Sequence, residues 1–316
     1  MLWLILAVAA YAFFALSAIG DKYLLSGALP HPVTYAFYVG VLGGLVVLLA
    51  PFLGFPVPSL GNIGLALAAG AVFIIALIAY YRALERYEVS RVEPAIGGLL
   101  PLATLALCAA VFPGWTLDAL HVAAFILFIA ASVTATAQNM RAVVSRSLVS
   151  AFVAAVLFAL AFVLMKAAYL AQSFWSGFLW MRIGGLAFVL LLFAFSPRLR
   201  RDAREHTVIA GISGRASPAG GRVPVKTTFL FLGNQGLGAA GGILQNLAIY
   251  VAPPLALAFV NALQGVQYVF VIIFAAVISR FAPSIIRESH TRRVVIQRVL
   301  AALLLLAGMA VLIAAK

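Results

Sequence analysis

Residues 148–196 read LVSAFVAAVLFALAFVLMKAAYLA, then QSF, then WSGFLWMRIGGLAFVLLLFAFS. Each apolar run is close to the ~20 residues with which a helix crosses a hydrocarbon core of ~30 Å. The short polar interval between them leaves room only for a tight connection. The pattern therefore predicts two consecutive membrane helices, with Lys166 in the first and Arg182 in the second.

The same pattern covers the whole chain of 316 residues, which is 65% hydrophobic and only 9% charged. A soluble domain of this length cannot bury that much apolar surface. We predict an all-α integral membrane protein with ten transmembrane helices. Their expected positions are 2–20, 33–54, 62–82, 92–112, 117–138, 148–171, 175–196, 227–250, 254–279 and 295–315.

Two features of the composition exclude other classes of protein. The first apolar stretch lacks the basic segment of a signal peptide and is long enough to span, so we interpret it as the first helix. Cys108 is the single cysteine, which excludes an intrachain disulfide and a cysteine-based metal cluster.

Positive charge lies in alternate connections between the ten stretches. The odd-numbered connections hold 18 of the 21 Lys and Arg residues, and the even-numbered ones hold none. Cytoplasmic loops are enriched in Lys and Arg, so we expect the odd-numbered loops inside the cell (inner) membrane and both termini outside. The net charge of +13 then reflects loops facing anionic lipid, and we expect no nucleic-acid partner.

Short segments of the first half recur in the second half in the same order. Phe14 to Leu16 recurs as Phe158 to Leu160, an offset of 144 residues, and Gly43 to Leu45 recurs as Gly184 to Leu186, an offset of 141 residues. Matching order and nearly equal offsets predict an internal repeat.

The repeat divides the chain into two five-helix units, 1–145 and 146–316. Because five is odd, the second unit runs through the bilayer in the opposite orientation. Inverted repeats are a common plan of secondary transporters, with the substrate site between the halves. Within the second unit, the basic, Gly- and Ser-containing segment 197–226 predicts a flexible cytoplasmic loop.

One passage resembles a known family. Residues 80–84 read YYRAL and residues 93–102 read EPAIGGLLPL, similar to a recurring pattern of the EamA-type branch of the drug/metabolite transporter superfamily. The second-half counterpart departs from the pattern, with Gly265 where Pro101 would be. The resemblance implies a ten-helix secondary carrier of small metabolites, often an exporter, that works by alternating access.

Lys166 and Arg182 are the two cations inside predicted spans that do not lie next to a basic, odd-numbered connection. A charged residue at membrane depth indicates function by default. Arg182 is suited to hold a carboxylate or phosphate in bidentate fashion, with Lys166 adding a point charge. The alternative is that their long stems let the charged groups reach the interface.

Polar side chains also mark two helical faces, which form either a cavity wall or a packing seam. The eighth helix carries Asn234, Gly238, Gly241 and Gln245 on one face, and the ninth carries Asn261, Gln264 and Tyr268 on one face. We place the amides and Tyr268 in the predicted substrate site together with Trp180 and Tyr38.

The remaining polar residues indicate no catalysis. Glu93 suggests proton coupling, but an acid before Pro94 at a helix start is more typical of a structural role. We find no metal cluster, nucleophile–base pair or phosphate-binding glycine loop, so we expect neither an enzyme nor a cofactor.

We therefore expect a secondary-active transporter, an exporter by the resemblance, of a small polar metabolite that is anionic or an amino acid. Its partners are that small molecule and the lipid bilayer, with proton or counter-substrate coupling and the oligomeric state left open. The alternatives are a lipid-carrier flippase of similar plan and a structural or assembly membrane protein.

Overall fold

The computed structural model describes residues 1–25, 32–53, 57–86, 89–112, 118–136, 146–205, 225–281 and 292–314. Every regular element within these ranges is helical. The helices are α1 Leu2–Leu25, α2 Pro32–Gly44, α3 Ala50–Leu53, α4 Leu60–Arg86, α5 Val89–Val111, α6 Ala119–Thr136, α7 Arg146–Ala171, α8 Phe174–Phe195, α9 Pro197–Glu205, α10 Val225–Val251, α11 Ala256–Ala262, α12 Gln264–Phe281 and α13 Arg292–Ala314. A 3₁₀ turn, Leu45–Leu49, joins α2 to α3.

Each of the ten predicted spans coincides with helix in the described residues. By length and composition alone, five helical segments can cross a membrane: Leu2–Gly20, Pro32–Phe52, Leu60–Ala83, Val149–Ala171 and Phe174–Phe195. Shorter apolar helices lie at Ile96–Val111, Ala119–Ala131, Ala256–Val271 and Val299–Ala314. The chain is therefore an all-α, multi-pass membrane protein.

The surface of the helices agrees with that conclusion. Large apolar side chains point outward on several helices, and Phe52, Leu60 and Phe195 are 82–86% exposed. Apolar surface on this scale is typical of contact with lipid rather than water.

The ninth predicted span is not one continuous helix. The chain turns at Leu263, between α11 and α12, so Asn261 and Gln264 lie on either side of the break. One regular helix therefore does not carry both residues and Tyr268. The interruption is local, because the backbone N–H of Leu263 donates to the carbonyl of Phe259 at 3.0 Å and its carbonyl accepts from the N–H of Val266 at 2.8 Å.

The segment predicted as a flexible loop over 197–226 begins with helix α9, which corrects the prediction for its first nine residues. Ser196 ends α8, and its side-chain oxygen accepts a hydrogen bond from the backbone N–H of Leu199 at 3.2 Å. Pro197 follows at the first helical position, where it needs no N–H partner. A serine cap followed by proline starts a helix; residues 206–224 lie outside the described part of the chain.

The start of α6 is capped by Asp118. Its carboxylate accepts the backbone N–H of His121 at 2.8 Å and lies 2.7 Å from the His121 ring nitrogen Nδ1. These contacts, the backbone N–H first, hold the pKa of Asp118 below its usual value. Asp118 thus caps the start of α6 and does not pair with a buried cation among the described residues.

Helix packing brings α2, α7, α8 and α10 around one region. α1 runs along α10, α7 packs between α4 and α5, and α8 contacts both α2 and α4. On the far side, α6 packs against α13 and α5 against α11. Both intramembrane cations lie in this arrangement, because Lys166 is on α7 and Arg182 is on α8.

Candidate functional site

Arg182 lies between helices of both halves of the chain. A side chain at Gly43 of α2 would place its Cβ 3.1 Å from guanidinium Nη1, and one at Gly242 of α10 would place its Cβ 3.4 Å from Nη2. The Phe178 ring, one turn earlier on α8, has its centroid 4.9 Å from the guanidinium carbon. Glycine at both positions leaves the space that the planar group occupies.

The Arg182 cation has no internal counter-ion among the described residues. Its Nε is buried and has no hydrogen-bond acceptor, and no described Asp or Glu forms an ion pair with it. The side chain is only partly buried as a whole, so some of its surface remains accessible. A buried charge without a partner is costly in apolar surroundings, and this arrangement can accept an external anion.

Lys166 lies close by but is already satisfied. It is 2% exposed, and its Nζ donates to the backbone carbonyls of Ile249 at 3.1 Å and Tyr250 at 3.0 Å. These are carbonyls of the last turn of α10, which have no partner within their own helix. Lys166 therefore caps a helix end and does not snorkel to an interface.

Tyr169 connects the Lys166 helix to the Arg182 region. Its hydroxyl donates to Asn246 Oδ1 at 3.0 Å, and Asn246 Nδ2 donates to the carbonyl of Gly242 at 2.8 Å. The chain of bonds ends at the glycine that faces Arg182. These hydrogen bonds hold α10 against α7. The hydroxyl proton of Tyr169 is used in the bond to Asn246 and is not available to a ligand.

The glycine stripe of α10 forms a packing seam. Side chains at Gly238 and Gly241 would meet Ser17 and Phe14 of α1 at 3.3 and 2.9 Å. Asn234 is buried in contact with Gly20. The interpretation as a helix-packing face thus holds for these three positions.

Gln245, the fourth member of the stripe, lies beside the Tyr11 hydroxyl, within reach of a hydrogen bond. That hydroxyl donates its proton to the carbonyl of Val260 at 2.9 Å. Tyr11 therefore ties α1 to α11, and Gln245 joins this contact rather than the Arg182 group.

The ninth-span residues fall into three situations. Asn261 is fully buried, and its Nδ2 donates to Thr104 Oγ1 of α5 at 2.9 Å, so a neighbouring helix provides this partner. Asn261 Oδ1 and Gln264 Oε1 are buried without a hydrogen-bond partner. The side chain of Tyr268 lies outside the described residues.

Tyr38 contacts α9, because its hydroxyl donates to the carbonyl of Ala203 at 3.3 Å. Trp180 is partly buried on α8, two residues before Arg182. The structure thus places Gly43, Gly242 and Phe178 around Arg182. It places four other predicted residues in contacts with further helices: Tyr38, Asn234, Gln245 and Asn261.

Sequence reasoning missed Tyr169, Asn246 and Phe178 as neighbours of Arg182. The spacing did carry a signal, because Phe178 and Arg182 are four residues apart, as are Gly242 and Asn246. Residues at that spacing lie on the same helical face. Which faces meet depends on helix packing.

The chain matches no protein-family model. It matches none of the curated proteins. A solved structure described as "Crystal structure of protein" is similar over 97% of this chain and 94% of its own, with a TM-score of 0.63 and 15% sequence identity. At this identity the likeness concerns the fold alone.

Proposed function

We propose that the protein is a secondary-active carrier that moves a small polar metabolite, either anionic or an amino acid, across the cell membrane by alternating access. The resemblance to the EamA-type branch favours export. The observation that carries the proposal is the Arg182 guanidinium, which is inside the helix bundle with a buried Nε that lacks an acceptor.

An intramembrane arginine without a counter-ion favours a ligand over a structural role. Ionisable residues inside membranes mark substrate or ion pathways when they face the bundle interior. Arg182 faces interior helices, since its nearest glycines belong to α2 and α10. A carboxylate or phosphate would supply the missing acceptor through charge-assisted hydrogen bonds.

Helix pairing supports two inverted five-helix halves. Under such a repeat, α1 corresponds to α7, α4 to α10, α5 to α11 with α12, and α6 to α13. The contact of α1 with α10 then has the contact of α7 with α4 as its equivalent. Likewise, the contact of α5 with α7 is equivalent to the contact of α12 with α1. The repeat exchanges α6 and α13, so the contact between these two helices is its own equivalent.

The inverted arrangement would have ten membrane helices, with α9 as an additional helix at the cytoplasmic side. The charge pattern would then place both termini outside and the first turns of α2 and α10 inside. Counting from the start of α8 at Phe174, Arg182 would lie ~12 Å from the outer end at ~1.5 Å per residue. That depth is within the outer half of the bilayer.

Transport by the purified full chain in proteoliposomes tests this function. We expect uptake or efflux of an anionic metabolite or amino acid, and we expect Arg182→Ala to lower the rate about tenfold or more through loss of a charge-assisted contact. Arg182→Lys should recover part of the rate. Arg198→Ala is the matched control, because Arg198 is 75% exposed on α9.

Three results would contradict the proposal. Unchanged anion transport by Arg182→Ala would remove Arg182 from the site. Movement of a lipid-linked substrate without movement of small metabolites would favour a flippase, and no transport of either kind would favour a structural protein.

A further inference from the structure

Helices α2 and α10 flank the Arg182 guanidinium, and the space between Gly43 and Gly242 is called the wedge. Near the start of α2 they are joined, since Gln235 Nε2 donates to the Tyr35 hydroxyl at 3.3 Å. Seven or eight residues further along each helix, about 10–12 Å by helical rise, Gly43 and Gly242 face the guanidinium. The two helices are thus linked at one end and separated by the arginine at the other.

The contact between α4 and α8 provides the opposite case. Under the proposed inverted repeat this pair is the counterpart of α10 and α2. A side chain at Gly70 would collide with the backbone of Met181, and one at Gly184 would collide with the backbone of Leu67. Backbone therefore lies directly against Gly70 and Gly184, whereas the atoms nearest to Gly43 and Gly242 belong to the Arg182 side chain.

The donors near the wedge limit the charge that it can balance. Lys166 donates to two carbonyls, and Tyr169 donates its proton to Asn246. Arg182 is the remaining cation of this group, and its Nε lacks an acceptor. The single unpaired charge of Arg182 can therefore balance one negative charge on a ligand.

The direction of approach is also restricted. The guanidinium carbon lies over the Phe178 ring, while the two glycines lie near Nη1 and Nη2. A guanidinium binds oxyanions in its own plane, through parallel N–H bonds. Nε is buried, so an anion is expected at the edge formed by Nη1 and Nη2, next to the two glycines, rather than above the ring.

We propose that the wedge between α2 and α10, beside Gly43 and Gly242, binds a single carboxylate or similar monovalent oxyanion in the plane of the Arg182 guanidinium. This inference rests on the proposed transport function and names the charge class and position of the ligand's acid group. A methyl group at Gly43 would lie tightly against Nη1 at 3.1 Å, whereas one at Gly242 would be in van der Waals contact with Nη2 at 3.4 Å.

Arginine-selective modification tests the inference without a transport assay. The purified full chain is treated with phenylglyoxal, and modification at each arginine is followed by peptide mass spectrometry. We expect propionate to slow modification of Arg182 several-fold and the uncharged isostere propionamide to have no effect. Succinate should protect no better than propionate, because the second carboxylate has no cation to meet.

The chain provides matched controls. Arg198, exposed on α9, should react at the same rate with or without propionate. Gly43→Ala should reduce the protection of Arg182, whereas Gly64→Ala, whose methyl group meets open space, should not. Gly242→Ala is the second variant if Gly43→Ala does not fold.

Equal effects of propionate and propionamide would overturn the inference, as would an Arg182 that never reacts. Protection by succinate alone would show that a second cation takes part and that the monovalent assignment is wrong. If the parent transports anions while propionate fails to protect Arg182, this inference fails and the proposed carrier function stands. Failure of all transport by the parent would instead contradict the proposed function.

Discussion

The surroundings of Lys166 and Arg182 differ although the two cations lie on consecutive helices. Lys166 is 2% exposed and donates to two carbonyls at the end of α10. Arg182 keeps a buried Nε without an acceptor and lies between glycines of two other helices. A charged residue in a membrane span can therefore complete a helix end or provide an open binding group.

The chemistry of each side chain fits its surroundings. An ammonium group is a compact charge with three donors, well suited to carbonyls that converge at the negative end of a helix. A guanidinium is planar and stacks on aromatic rings, as Arg182 does on Phe178 at 4.9 Å. Its remaining edge suits a planar oxyanion.

Substitution of Lys166 by methionine should give the largest change in stability. Lys166→Met keeps the length of the side chain but removes both hydrogen bonds to the α10 carbonyls. We expect the free energy of unfolding in detergent to fall by about 2–4 kcal/mol, because two buried carbonyls lose their donor. Chemical or thermal unfolding of the purified protein measures this change.

The control for this variant is Leu170→Met on the same helix, where the side chain is 57% exposed. It should leave the unfolding transition unchanged. If Lys166→Met unfolds like the parent, Lys166 does not serve as a structural cap and the contrast with Arg182 fails.

The same substitution at Arg182 should act in the opposite direction. Arg182→Met removes a buried cation that has no counter-ion among the described residues. We expect the free energy of unfolding to stay level or rise by about 1–2 kcal/mol, since the cost of burying the charge disappears. The same unfolding assay applies, and a loss as large as that of Lys166→Met would reveal a structural partner for the arginine.

Tyr169 links the two regions and should show the smallest effect. Tyr169→Phe removes the hydroxyl that donates to Asn246 Oδ1, and we expect a loss of about 1 kcal/mol or less. Tyr250→Phe is the matched control, because its ring contacts both Tyr169 and Phe174. Both variants keep the ring, so an equal loss would mean that the hydrogen bond to Asn246 contributes no more than the hydroxyl of Tyr250.

The helices were largely predictable, because ten apolar stretches of bilayer length leave little choice of structure. Two local features were missed. The Ser196–Pro197 cap starts α9 inside a segment whose composition indicates a flexible loop. The turn at Leu263 interrupts an apolar run at a residue that is neither proline nor glycine, and Gly265, two residues later, was not interpreted as a break.

The candidate site was predictable only in part. Arg182 was identified because a cation in an apolar helix is conspicuous, and the same reasoning selected Lys166 without distinguishing the two. The amides were recognised as needing partners, but Asn261 finds one on α5 while Gln264 Oε1 finds none. Single-helix patterns indicate that a polar group must be satisfied and do not identify its partner.

The sequence by itself determined an all-α membrane protein, since hydropathy acts residue by residue along each helix. Only the tertiary structure decided that Lys166 has hydrogen-bond acceptors and that Arg182 Nε lacks one. That outcome depends on contacts between residues far apart in the chain, such as Lys166 with Ile249 and Gly43 with Arg182. Helices in lipid associate through close packing and hydrogen bonds between facing side chains, and this complementarity is a property of pairs of surfaces rather than of either sequence segment.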